Sequence, residues 1–170
     1  MRARLAIALR LFTSYCEQRR LVHPEIARYL EHMWRFIGMP GSSEAFGQWT
    51  ADEPPLVQAG LGWEYSPGFE DFLAKRDVAE REFRQALCLA TEVLFTSLYG
   101  AADDPRSRQF VEELAGLVMP LGVGFPDTEQ FARSRWSDGC GWGEIPSTEQ
   151  LSVWRRQPSA IQSAQAEAAD

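Results

Sequence analysis

The chain has 170 residues, 45% of them apolar and 24% charged, with a net charge of −7. That length suits one domain with its own core, and the composition excludes a disordered or fibrous chain. The negative balance argues against a nucleic-acid binder, which would carry a positive surplus arranged as a stripe.

Cys16, Cys88 and Cys140 are an odd number at wide spacing and make no disulfide framework. They point to a reducing compartment, so a cytoplasmic protein is expected. Charge is uneven along the chain: residues 1–40 carry a net +4, residues 41–80 a net −6 and residues 81–170 a net −5. An acidic block of this kind suits a basic partner.

The opening MRARLAIALRLFTSYC places Arg2 and Arg4 before an apolar run. Arg10 interrupts that run and no small-residue cleavage site follows, so an amphipathic helix is expected rather than a secretion signal. Leu5, Leu9, Phe12 and Cys16 recur at helical spacing. A second helix opens at His23-Pro24, with Pro24 at the first helical position, and carries Ile26, Leu30, Met33 or Trp34, and Ile37. Gly38 and Pro40 stop it. The short link between the two helices predicts an antiparallel pair. No run reaches the ~20 apolar residues of a membrane span, so no membrane partner is expected.

Residues 38–66 form a long ordered connection rich in Gly and Pro. Ser42 or Ser43 caps a short helix through Trp49, and the remainder reads as irregular. Phe46, Trp49, Trp63 and Tyr65 set the segment apart from a linker, which lacks such aromatics. Ser66-Pro67 starts another short helix with Phe69, Phe72 and Leu73 inward.

Asp77 and Glu80 stand at capping-box spacing before the longest helix, over 78–99. This helix is apolar most of the way round and is expected at the centre of the fold. Asp104-Pro105 opens the next helix, with Phe110, Leu114, Leu117 and Val118 inward, ending near Pro120. After the turn-rich LGVGFPD, Asp127 or Thr128 caps a short helix to Trp136. The stretch SDGCGWGEIPSTEQ reads as a tight glycine-permitted path, with Trp142 folding back as a clasp and Cys140 a plain loop thiol. Ser147, with Gln150 at the capping-box position, opens a last helix over 148–156. The fold class is therefore all-α, with seven or eight helices in one domain over 1–156 and a flexible tail over 157–170.

The chemistry is sparse. His23 and His32 are the only histidines, and no metal-ligand spacing is present, so no metal or cofactor is expected. The glycines around Cys140 are spaced G-x-G-x-G with no preceding strand, which is neither a phosphate cradle nor a nucleophile elbow. No catalytic residue is assigned. Glu92, on the most apolar helix, must pair, hydrogen-bond or become neutral. The favoured partner is an arginine of the first two helices (Arg10, Arg28 or Arg35), and the alternative is a pocket where Glu92, His32 and Arg35 converge.

The segment 44–71 stands furthest above background. Trp49, Trp63 and Tyr65 lie among Asp52, Glu53, Glu64, Glu70 and Asp71, which combines interface-type aromatics with an acidic rim. The expected function is non-catalytic binding of a basic protein partner. In charge and size alone, the chain is similar to an immunity or antitoxin-type inhibitor that neutralises a basic bacterial toxin. Three other readings stay open: the aromatics only cover the core; the chain is a ligand-binding protein or enzyme with a pocket near Glu92; or it is a self-associating structural subunit.

Overall fold

The computed structural model describes residues 1–99, 105–131 and 142–156. Among these residues the fold is all-α and no strand occurs. The eight α-helices are α1 (Arg2–Gln18), α2 (Pro24–Gly38), α3 (Ser43–Ala51), α4 (Pro55–Gly60), α5 (Phe69–Lys75), α6 (Glu80–Tyr99), α7 (Pro105–Val118) and α8 (Thr148–Arg155). Two short 3-10 turns, Met119–Leu121 and Glu129–Phe131, lie between α7 and α8.

The expected central helix is α6. It packs against α1, α4, α5 and α7, and ten of its residues are buried, spread over most of its circumference. Helices α1 and α2 pack on each other. Phe12 meets Tyr29 edge-on at 5.4 Å and Phe83 at 5.8 Å between ring centroids, joining α1, α2 and α6 in one aromatic cluster. All three rings are fully buried, and each contributes about 2–3 kcal/mol of hydrophobic stabilisation. The Tyr29 hydroxyl is satisfied by Thr91 Oγ1 at 3.0 Å.

Helix α4 departs from the irregular path expected over 50–66. Pro55 occupies its first turn, and Leu56, Val57, Ala59 and Gly60 are buried against α6. Only a glycine allows this approach. A Cβ on Gly60 would come within 2.8 Å of the Thr91 Cβ.

A second departure concerns the start of α6. Asp77 makes no capping box with Glu80, because it is held in the left-handed region, with φ 55°, as the terminator of α5. The Asp77 amide donates to the Ala74 carbonyl and the Val78 amide to the Leu73 carbonyl. This is a Schellman ending, in which the residue after the left-handed one reaches back to the last turn. The same pattern ends α1, with Arg20 left-handed and Leu21 donating to Cys16, and α4, with Gly62 left-handed and Trp63 donating to Gln58.

The N-terminal turn of α1 is tied to the far end of α2. Arg2 is fully buried, and its guanidinium donates to the Phe36, Ile37 and Met39 carbonyls and to the Gly143 carbonyl. The first three are among the last carbonyls of α2 and its exit, where helical donors run out; of them, Phe36 also accepts from the Met39 amide at 3.2 Å. Trp142 folds onto Phe36 and Phe46, with centroids 5.0 and 5.8 Å away, as the sequence suggested. Beyond it, Ser147 and Gln150 form the expected capping box of α8. Arg155 on α8 pairs with Glu31 and lies over the Trp34 ring, which seats α8 on α2.

Asp127 Oδ1 accepts from the Glu129 amide at the start of the second 3-10 turn. The expected continuation to Trp136, the loop thiol Cys140, and the tail from 157 lie outside the described residues. None of the described helices is long and apolar enough to cross a membrane.

Candidate partner-binding face

Burial sorts the aromatics of the 44–71 segment. Trp49 is 1% exposed, so it is removed from any surface. Its indole stacks on His32 at 4.4 Å, meets Phe36 at 5.2 Å, and donates through Nε1 to the His32 carbonyl at 2.9 Å. It is the anchor by which α3 grips α2. Tyr65 is also buried, against Phe69 and Phe83. Burial pushes its hydroxyl well above the usual tyrosine range. Only Trp63 projects, at 67% exposure.

The local backbone explains why Trp63 is presented rather than folded in. In the three Schellman endings the residue after the left-handed one is Leu21, Trp63 or Val78. Leu21 and Val78 are 4% and 5% exposed, as the apolar contact of this motif requires. Trp63 follows the same hydrogen-bond pattern, yet its partner across the motif is Gln58 rather than an apolar residue. Its ring is left with nothing to cover.

The Trp63 backbone is nevertheless fixed at both polar groups. Its amide donates to the Gln58 carbonyl at 3.1 Å, and its carbonyl accepts from Arg84 Nη1 at 3.0 Å. Arg84 is itself held in place. Its guanidinium lies 4.2 Å from the Tyr65 ring centroid and its Nε pairs with Glu80. Arg84 therefore joins α6 to the loop, a role that no sequence spacing announces.

The acids divide in the same way. Glu64, Glu70 and Asp71 are exposed and enter no ion pair among the described residues. Glu70 and Asp71 also sit in the first turn of α5, where a carboxylate complements the helix dipole. Asp52 pairs with Arg35 at 3.3 Å. Glu53 accepts from Gln58 Nε2, and partial burial raises its carboxyl above the usual range. Gln58 thus reaches both Glu53, through its side chain, and Trp63, through its backbone carbonyl.

The alternative pocket around Glu92 does not assemble. The Glu92 carboxylate accepts from Thr96 Oγ1, one turn along its own helix, at 3.1 Å. It makes no ion pair with Arg10, Arg28 or Arg35. Arg35 is committed to Asp52, and His32 is buried under Trp49. Burial, reinforced by Arg35 and opposed by Asp52, lowers the His32 pKa to about 4. His32 and Arg35 act on each other on α2, but Glu92 shares no hydrogen bond or ion pair with either. Cys16 is a core thiol, its pKa pushed far up by burial. No group of three or more His, Cys, Asp or Glu side chains that could hold a metal ion occurs among the described residues.

Open clefts exist elsewhere. One of about 470 Å³ is lined by Glu129, Gln130, Glu149, Gln150, Val153 and Trp154. Another, of about 240 Å³, lies between the start of α3 and Trp142. The second includes Phe46 and Gly47 of the 44–71 segment, but neither contains a residue of 62–71. In comparisons with known proteins, no family model, no curated protein and no solved structure matches the chain.

Proposed function

We propose that the chain is a non-catalytic protein-binding module that docks a basic partner on the loop 62–68 and the start of α5. The observation that carries this reading is Trp63, a residue 67% exposed on a backbone hydrogen-bonded at both its amide and its carbonyl. A large aromatic held in place before binding loses little freedom on docking and gives up much apolar area to the partner. Glu64, Glu70 and Asp71 beside it in sequence supply the charge that would steer a basic surface. In charge and size the chain is similar to an immunity or antitoxin-type inhibitor, which would cover a toxin's basic cleft with such a face.

The test is affinity capture with the full chain as bait, followed by titration of the captured protein against variants. A basic partner is expected. Trp63→Ala should weaken binding by roughly 30-fold or more, the mark of a central hot spot. Reversing Glu64, Glu70 and Asp71 to Lys should slow association and remove most of its salt dependence. Binding unchanged by both sets of substitutions contradicts the reading.

A further inference from the structure

We infer that the group received on Trp63 is a guanidinium, an arginine side chain of the partner laid against the indole face. This rests on the partner-binding reading of the same loop and names the chemistry it recognises.

The ground is an arrangement the chain builds twice for itself. Arg84 lies over the Tyr65 ring at 4.2 Å and pairs with Glu80. Arg155 lies over the Trp34 ring at 5.4 Å and reaches both carboxylate oxygens of Glu31, at 3.1 and 3.3 Å. Each arrangement has three parts: an aromatic face, a carboxylate and a guanidinium. Trp63 supplies the first, and Glu64, its neighbour in sequence, supplies an exposed carboxylate. Trp63 is the most exposed tryptophan among the described residues, and no cation among those residues lies over its ring. The carboxylates of Glu64, Glu70 and Asp71 enter no ion pair among those residues. The missing part is the cation.

The physical chemistry favours arginine over lysine. Tryptophan is the strongest cation–π acceptor among the side chains. A guanidinium is planar and weakly hydrated, so it can lie flat on an indole while its edge still donates to a carboxylate. An ammonium must give up a tighter hydration shell and has no flat face. The acidic loop also disfavours an anionic lipid surface, which would otherwise suit an exposed tryptophan.

Hexaarginine, hexalysine and hexacitrulline peptides test this directly when titrated into the ¹⁵N-labelled full chain. The probe is the Trp63 indole N–H resonance, identified by its loss in Trp63→Phe. Hexaarginine should shift that resonance saturably and bind at least fivefold tighter than hexalysine. Hexacitrulline, planar but neutral, should leave it in place. Trp63→Ala should weaken hexaarginine binding at least tenfold, and Glu64→Gln with Glu70→Gln should weaken it severalfold. All three positions are exposed, so these variants should stay folded, with at most a small drop in melting temperature from Glu70 at the start of α5.

Equal binding of hexalysine would reduce the site to net charge, and equal binding of hexacitrulline would reduce it to stacking; either overturns the inference. So does a Trp63 resonance that responds to neutral phosphatidylcholine vesicles and to none of the peptides. A captured partner that needs Trp63 but places no arginine on it overturns the guanidinium while leaving the face intact. Capture that ignores Trp63 overturns both.

Discussion

Arg84 Nη1 donates to the carbonyl of Trp63 at 3.0 Å, so the longest helix of the fold directly holds the one tryptophan that projects from its described surface. The same guanidinium covers the Tyr65 ring and pairs with Glu80. Arg84 is thus one of the ties of the loop, beside the Gln58 carbonyl on the Trp63 amide and Ser66 on Glu25, and its removal should change Trp63 more than it changes the fold. In Arg84→Met we expect only about 1 kcal/mol lost from global stability, the scale of one partly exposed hydrogen bond and ion pair. The Trp63 indole should become measurably more mobile in ¹⁵N relaxation, and partner affinity should fall. Unchanged relaxation would mean that the loop is held without Arg84, by Gln58 and by Ser66 on Glu25.

Gly60 is required by its neighbour Thr91. Alanine normally favours a helix over glycine by about 1 kcal/mol. Here its Cβ would meet the Thr91 Cβ at 2.8 Å, so α4 would have to move off α6. Overpacking of this kind costs about 1–3 kcal/mol and should outweigh the helix gain. Urea denaturation should place Gly60→Ala below the wild type. Adding Thr91→Ala removes its Oγ1 and Cγ2, which also crowd the new Cβ, but keeps the Thr91 Cβ, so it should recover only part of that loss, at the expense of the hydrogen bond to Tyr29.

Arg2 acts as the cap of α2 across the fold. Its guanidinium is fully buried among the Phe36, Ile37 and Met39 carbonyls. Arg2→Met keeps the stem volume and strands the Ile37 and Met39 carbonyls, while Phe36 keeps the Met39 amide, at a cost of about 3 kcal/mol. Arg2→Lys should not rescue, because one compact ammonium cannot reach the carbonyls spanned by a planar fork. Thermal melts of the two variants check both statements. A wild-type melting temperature in Arg2→Met would show that water satisfies these carbonyls.

His32 gives the stability a pH dependence whose sign follows from its burial. The folded pKa of about 4 lies below the ordinary value of 6.5, because burial and then Arg35 disfavour the charged ring. As pH falls through 6.5 the unfolded chain takes up a proton that the folded chain refuses until about pH 4. The contribution is therefore full above 6.5 and is lost as pH drops toward 4, amounting to roughly 3 kcal/mol at full extent. His32→Phe keeps a ring under Trp49 and cannot titrate. The difference in unfolding free energy between wild type and variant should shrink or reverse across that window. A constant offset from pH 7 to pH 4 would contradict this.

Much of the fold is legible in the sequence because its signals are local. Proline at the first turn of α2, Ser42 before α3, Ser147 with Gln150 before α8, and the apolar periodicity of α6 all act within a turn or two of themselves. Helix α4 was hidden because Pro54, Pro55 and Gly60 read as turn residues. Its six residues are too few to show a period, and its stability comes from packing on α6. Asp77 had the spacing of a cap, but the ending of α5 claimed it first.

The candidate face was half legible. Composition located the segment, since unpaired acids beside tryptophans stand out in any register. It could not say which ring is outside. Trp49 lies three residues after Phe46 on a capped helix, a spacing that hints at burial. Gln58, five residues before Trp63, hints that its ring lacks an apolar contact, but only once the left-handed Gly62 is known; the burial of Tyr65 depends on Phe69 and Phe83, brought together by the fold. Glu92 carried a local answer in Thr96, four residues on, which long-range pairing arguments overlooked.

The most direct test of the partner-binding reading is hydroxyl-radical footprinting of the chain, free and bound to its captured partner, read by mass spectrometry at single residues. Oxidation of Trp63 should be high in the free chain and drop severalfold in the complex, while the buried Trp49 and Trp154 stay low in both. If Trp63 reacts equally in both states and protection falls instead on the cleft at Glu129, Glu149 and Val153, the partner docks elsewhere and the account of this face is wrong.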